Sequence, residues 1–391
     1  MRKTLYVHLG MPKAGSTALQ EFLYMNRVVL EKTGLLYPDP QALEQFSRNP
    51  QKMTGHHILP MYLTGFFWAY FPKKEGVEAA DVSRFIKQQI AASTAPKALL
   101  SSEACWFMLN RQDVVSAFAD AFSDFNLKVI VYLRRQDDHI QSGYNECIKS
   151  SFYTMTVDEF IEDRFLDPGN RYYTHLLNWV RAIGRENVLT RLYDKSCLIN
   201  GSIFEDLIAQ CGHEWVKELR HPEKDANPRM SLNALMFQRC INLLISDHTT
   251  RIAFSKIMMQ WSAYEDEGSA KAFEPHSLLT PDQRKKILDY YNSENKMVVK
   301  KLLKPHEGLC FSREIPNLHA IYPGLTLEKV VGILRFIHNR QPELLDSLSQ
   351  ASNIYHSLSD ITISQTGLID EGLSIFKDKE IPSDHETNRI L

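Results

Sequence analysis

Short runs dominated by apolar residues, at 5–9, 98–101, 128–133 and 188–193, alternate along the chain with longer stretches in which apolar side chains return every three or four positions. The first pattern predicts buried strands, and the second predicts helices at roughly 80–94, 136–150, 171–183, 201–211, 230–246, 280–303 and 325–350. After the first strand, Ala18, Leu19, Phe22, Leu23 and Leu30 mark one face of a further helix, with Ser16 placed to cap it and Gly34 to end it. Strands separated by helices assemble into a parallel sheet covered on both faces, an α/β fold. Beyond about residue 225 no strand pattern recurs. The expected organisation is one α/β domain over 1–305, with an insertion at about 38–80 and a helical part from about 225. A helical C-terminal extension over 306–391 follows, and its polar tail from about Thr362 is expected to be weakly ordered.

Composition narrows the field of partners. The 391 residues are 44% hydrophobic, enough for a substantial core, and 45 basic against 47 acidic side chains leave a formal net charge of -2. No global positive field draws such a chain to nucleic acid or to an anionic membrane, so any anion site must be local. The six cysteines form no CxxC pair, and the histidines and cysteines show no ligand spacing; reduced thiols, a cytoplasmic setting and no metal are expected. At the N-terminus a basic start leads into an apolar run broken by His8 and Gly10, which fits a buried strand and not a signal peptide. The longest apolar stretch, 58–71, is interrupted by Pro60, Thr64 and Gly65, so no integral membrane segment is expected. Nothing in the composition bears on the oligomeric state.

Candidate chemistry begins where the first strand meets the first helix, at Gly10, Met11, Pro12, Lys13, Ala14, Gly15, Ser16 and Thr17. Backbone N–H groups converge at such a turn and the helix dipole adds positive charge, a setting suited to a phosphate. A Walker A loop places its lysine directly after the last glycine, whereas Lys13 precedes Gly15 here. A second constellation joins the buried strand 128–133 to Arg134 and Arg135 at its end and to Ser142 eight positions beyond Arg134 on the following helix. A guanidinium fork matches phosphate geometry, and a hydroxyl two turns into the helix can reach the same group. Sequence leaves Arg134 and Arg135 as alternatives for that role, with the spacing favouring Arg134. Each motif also has a plainer use: a helix cap with a surface lysine, and an arginine pair bridged to Asp137 or Asp138.

Taken together and in this order, the two motifs resemble those of the PAPS-dependent sulfotransferases. These are proteins of P-loop-type fold that use 3'-phosphoadenosine 5'-phosphosulfate (PAPS) and release adenosine 3',5'-bisphosphate (PAP). The string Pro12, Lys13, Ala14, Gly15, Ser16, Thr17 is similar to that family's 5'-phosphosulfate loop, and Asn26, Arg27 and the stretch 34–38 give it a bacterial look. The resemblance implies that Lys13 stabilises the leaving phosphate and that Ala14, Gly15, Ser16 and Thr17 hold the 5'-phosphate. It further implies that Arg134 and Ser142 hold the 3'-phosphate, with Tyr144 nearby, and that Tyr193 lies near adenine. Residues 227–231 would close on the nucleotide. The acceptor would be a small molecule, lipid or carbohydrate offering a hydroxyl or amine.

Transfer to a hydroxyl needs a base to take its proton. Glu103, at the end of the strand 98–101, is one candidate, and His56 and His57, adjacent in the insertion, are its rivals. The plainer readings are a structural glutamate and satisfied structural histidines. The aromatic run 66–70 would serve either as acceptor wall or as core. Two further readings of the whole chain stay open: a P-loop kinase using ATP and magnesium, and a nucleotide-binding scaffold without activity.

Overall fold

The structure, a computed structural model, describes residues 2–49, 52–66, 71–107, 111–222, 230–268, 277–312, 321–358 and 364–378. Five strands, β1 (Thr4–Leu9), β2 (Leu35–Leu36), β3 (Lys97–Ser102), β4 (Asn126–Leu133) and β5 (Val188–Leu192), form one all-parallel sheet in the order β2-β3-β1-β4-β5. In register, Leu9 of β1 stands beside Ser102 of β3 and Val131 of β4. The carboxyl ends of the three central strands therefore reach the same edge. Leu5, Val7, Leu99, Val129, Ile130 and Leu133 are fully buried, as expected of strands covered on both faces. Four strands coincide with the predicted runs to within two residues. The fifth, β2, is two residues long and makes no periodic signal.

The chain divides into two compact units that are interleaved in sequence: Met1–Ile140, Ile161–Asn227 and Arg284–Ile315 form the first, and Gln141–Phe160, Pro228–Gln283 and Pro316–Leu391 the second. In the first unit, helices on the sheet contribute Phe22, Phe118 and Trp179 to the core, the last two meeting edge to face at 5.6 Å. Behind β5 lies a buried ionic network. Arg191 grips Asp206 through Nε at 3.0 Å and Nη2 at 2.5 Å, and also contacts Glu307, while Tyr132 Oη donates to Asp206 at 2.8 Å. Removing one partner from such a network costs about 3–5 kcal/mol, because it strands the other charge in a dry interior.

The second unit is helical. Its helices Leu232–Leu244, His248–Gly268, Leu327–Arg340, Glu343–Leu358 and Ser364–Asp378 bury Phe237, Ile241, Phe254, Ile333, Ile337, Leu348 and Ile369, and no strand occurs among its described residues. The α/β fold with a helical C-terminal region is thus as the periodicity predicts.

Several details differ from expectation. The helix expected over 325–350 is two helices, because Pro342 cannot donate to a preceding carbonyl and its ring crowds the turn before it. The one expected over 280–303 is interrupted at Tyr291. Among the described residues after Thr362, the helix Ser364–Asp378, which the periodicity did not mark, buries Ile369 and Leu373. Helices at Ile58–Thr64, Gln112–Ala121, Val157–Phe165 and Pro305–Phe311 were also not singled out by the sequence pattern. No helix among the described residues is long and apolar enough to cross a membrane.

Candidate active site

Gly10 follows β1 and donates its N–H to the Ser102 carbonyl at 2.9 Å, tying the first loop to the end of β3. A Cβ at Gly10 would stand 3.0 Å from both Cα and N of Glu103, so only glycine lets the two backbones approach this closely. That contact brings Glu103 alongside the loop. The turn then tightens through Met11 N–H to Leu9 O at 2.8 Å and Ala14 N–H to Met11 O at 3.2 Å.

Lys13 has φ of 61° and Gly15 of 78°. Glycine takes this left-handed conformation readily, but for lysine it costs roughly 1–2 kcal/mol, a strain typical of functional loops. Gly15, and not Ser16, is the residue that caps the helix Ser16–Met25, and the cap carries no side-chain hydrogen bond. Ala14 and Ser16 are buried, whereas Thr17 is exposed. The first turn of this helix bears no acidic residue.

The loop's conformation is held from the far side of β1. Arg134, directly after β4, donates from Nη1 to the Lys13 carbonyl at 3.0 Å. Its own carbonyl accepts from Tyr172 Oη at 2.9 Å. Tyr193, directly after β5, donates its N–H to Leu133 O at 2.8 Å, and its ring centre lies 6.0 Å from the Arg134 guanidinium. The same ring lies against Gly15, where an added Cβ would meet Cε2 at 3.1 Å and Oη at 3.2 Å. Lys13, Gly15, Arg134 and Tyr193, drawn from three strand ends, are therefore immediate neighbours.

Arg135 is engaged elsewhere. It is buried and binds Asp137 in a fork, Nε to Oδ1 at 2.7 Å and Nη2 to Oδ2 at 2.8 Å. Arg284 closes the set at 2.7 Å from Asp137 and 2.9 Å from Asp138. Burial alone would raise the Asp137 carboxyl, but the hydrogen bond and charge of Arg135, with the charge of Arg284, hold it below the usual carboxylate range. Ser142 lies further along the helix Gln136–Ser150, in the part that belongs to the helical unit. Tyr144, in the same part, is buried with its hydroxyl donating to Met155 O at 2.8 Å.

On the β3 side the two histidines separate. His56 accepts from Ser101 N–H at 3.2 Å and its Nε2 pairs with Pro38 O at 2.8 Å, so both ring nitrogens are used in holding the insertion to the sheet. Burial pushes it down to about 4. His57 Nδ1 lies 3.0 Å from Ser102 Oγ, one residue from Glu103, and burial with the neighbouring His56 pushes it down to about 3. Both rings are neutral near pH 7. Residues 227–229 of the expected nucleotide-closing loop and 67–70 of the aromatic run lie outside the described residues, while Phe66 is exposed.

Two further charged or titratable residues of the first unit carry no signal in the motifs. At His139, one turn into the helix after Arg134, burial together with the charges of Arg134, Arg164 and Lys13 pushes the ring down to about 3. Arg164, from the helix Val157–Phe165, pairs with Asp163 at 2.5 Å and Asp167 at 3.5 Å. His139 lies within the arginine motif, but nothing in the spacing marks it. Arg164 is isolated in sequence and gives no signal.

Comparisons with known proteins add little detail. No family model matches the chain. A 115-residue stretch is 32% identical to an uncharacterized protein of Archaeoglobus fulgidus, spanning 29% of this chain and 30% of that protein. The chain thus matches less than a third of its curated relative's length. Among solved structures, a sulfotransferase from Alicyclobacillus acidocaldarius is similar at 16% identity and a TM-score of 0.35, with 66% of this chain and 96% of that one covered.

Proposed function

We propose that this chain is a sulfotransferase that moves a sulfuryl group from PAPS to a hydroxyl or amine of a small molecule, lipid or carbohydrate. The observation that carries the reading is the bond from Arg134 Nη1 to the Lys13 carbonyl. It brings the strand-end arginine and the loop lysine, the two cations the sequence motifs single out, to one edge of the sheet. The residues present suit a bisphosphorylated nucleotide. Two cations flank a strained turn, the helix behind it starts without a side-chain cap, and an aromatic ring lies over Gly15.

PAPS, when bound, supplies a sulfuryl group on a phosphate leaving group. In this assignment Lys13 and the N–H groups at Gly15, Ser16 and Thr17 stabilise charge on that phosphate as the S–O bond breaks, with Ala14 shaping the turn through its bond to Met11 O. Arg134 holds the 3'-phosphate, and its planar fork is suited to the task. Tyr193 offers its face to the purine. Glu103, brought beside the loop by Gly10, takes the acceptor's proton, with His57 as the alternative base. A single preorganised donor of this kind contributes about 10²–10³-fold to turnover, and Lys13 is the largest such contributor here.

Transfer from ³⁵S-labelled PAPS to a panel of sugars, phenols, lipids and amines tests the activity. Binding of PAP in EDTA, with indifference to ATP, tests the donor. Binding of ATP that requires magnesium, with no response to PAP, would replace the proposal with a kinase; PAP binding without transfer to any class would leave a scaffold.

A further inference from the structure

Cys197 lies in the turn that follows Tyr193 and β5, and Cys310 lies on the helix Pro305–Phe311. Both belong to the first unit and both are thiols, Cys197 buried and Cys310 half-buried. Their side chains converge on one oxygen: Ser196 Oγ is 3.9 Å from Cys197 Sγ and 3.6 Å from Cys310 Sγ. That hydroxyl donates its own hydrogen to Asp194 Oδ1 at 2.6 Å, so towards the two sulfurs it serves as the acceptor. Neither backbone is loose. The turn is pinned by the Cys197 and Leu198 N–H groups on Asp194 O at 2.8 and 3.2 Å, and the Cys197 carbonyl accepts from Arg191 Nη2 at 2.8 Å. The helix is tied to the same stretch of chain, because Glu307 pairs with Arg191, and the carbonyls of Lys301 and Leu302 just before it accept from Arg185 at 2.6 and 2.8 Å.

We propose that Cys197 and Cys310 are a covalent modification site, a thiol pair that a low-molecular-weight disulfide oxidises to a Cys197–Cys310 bond, locking the helix Pro305–Phe311 to the turn after β5. Sulfurs that each lie within 3.9 Å of one oxygen, on backbones already tied together, need side-chain rotation to reach the bonding distance of about 2.05 Å. The more exposed Cys310 attacks first, as its thiolate, on one sulfur of the small disulfide; that S–S bond breaks and one small thiolate leaves. Burial pushes Cys197 up to about 12, so it waits as a thiol until the mixed disulfide stands beside it. It then gives up its proton, attacks Cys310 Sγ and displaces the second small thiolate. Two protein thiols are oxidised, one small disulfide is reduced to two small thiols, and those products carry the two protons the cysteines lost.

The bond closes a loop of more than about 100 residues, and a crosslink across so long a loop removes much of the freedom of the unfolded chain. The expected rise in Tm is roughly 4–16 °C. In reducing surroundings the pair stays as two thiols, in keeping with the reduced cysteines the sequence predicts. None of this depends on what the loop at Lys13 holds.

The test exposes the full chain to glutathione disulfide at pH 8, blocks the remaining thiols by alkylation, and maps the linkage by mass spectrometry of a digest, with scanning fluorimetry before and after a phosphine reductant. The expected result is a linked peptide pair carrying Cys197 and Cys310, loss of two of the six titratable thiols, and a rise in Tm that the reductant reverses. Cys310→Ser should show neither the linkage nor the rise, and Cys197→Ser should stop at a glutathione adduct on Cys310. A wild type in which Cys310 carries glutathione and stays unlinked overturns the proposal, as does linkage of either sulfur to a different cysteine, or the bond forming with no rise in Tm. If neither thiol reacts, the same analysis with diamide decides, and two thiols still free after that oxidant refute the pair. If the serine variants fail to fold, the wild type with and without reductant carries the result.

Discussion

Replacing Arg134 by alanine separates a ligand-binding arginine from a structural one, because its neighbour Arg135 supplies the contrast. In the free protein Arg134 makes one hydrogen bond to the Lys13 carbonyl from a half-buried position. Its loss should cost only about 1 kcal/mol. A charge-assisted bond to phosphate contributes up to about 3 kcal/mol, so the variant should bind PAP about 150-fold more weakly. At a PAP concentration of about 1,000 Kd the wild type gains about 4 kcal/mol; the variant, then at roughly 7 Kd, gains about 1.2 kcal/mol. At roughly 2–4 °C per kcal/mol for a unit of this size, the ligand-induced rise in Tm shrinks from about 8–16 °C to about 2–5 °C. Arg135→Ala should behave in the opposite way. It breaks a buried fork and leaves Asp137 with Arg284 alone, lowering stability without ligand by about 3 kcal/mol or more while the shift with PAP persists. Differential scanning fluorimetry reads all three proteins with and without PAP. Equal PAP shifts in the wild type and Arg134→Ala would remove Arg134 from the site and with it the proposed function.

Other outcomes follow from the same geometry. Lys13→Ala should lower the rate of sulfuryl transfer by about 10²–10³-fold in a labelled-PAPS assay while PAP binding changes less, since its charge acts mainly on the leaving group. Gly10→Ala forces a Cβ against the Glu103 backbone and should lower stability by about 1–3 kcal/mol in urea titration, with activity falling as the loop shifts. His8 and His56 are buried and pushed down to about 4 by desolvation, so their unfolded forms bind protons first as pH falls below about 6.5. Between pH 7 and pH 5 each should cost about 2 kcal/mol of stability, and chemical denaturation at the two pH values should show a loss that His8→Gln reduces.

The strands and the two motif-bearing turns were legible because they are local. A buried parallel strand reads as an apolar run, and a glycine-rich turn before a helical period reads as strand, loop and helix. The helix Gln136–Ser150 falls where its periodicity places it. The short β2, the break at Pro342 within a continuous apolar pattern, and the helix Ser364–Asp378 were not marked by the pattern. For β2 and the helix Ser364–Asp378 the deciding term is packing against chain that is distant in sequence, to which a window of neighbouring residues is blind, whereas the break at Pro342 is local, set by the proline within a pattern that stays apolar.

The candidate site divides along the same line. The residue types, their order and the spacing from Lys13 to Arg134 stand in the sequence by itself, and so does the displaced lysine that sets this loop apart from a Walker A. Which of two adjacent arginines reaches the loop did not. That was decided by Asp137, which claims Arg135 with help from Arg284, 147 residues further along the chain, and leaves Arg134 to bond the Lys13 carbonyl. The reason is physical: two guanidinium groups adjacent in sequence are told apart only by which carboxylate or carbonyl the folded chain brings to each.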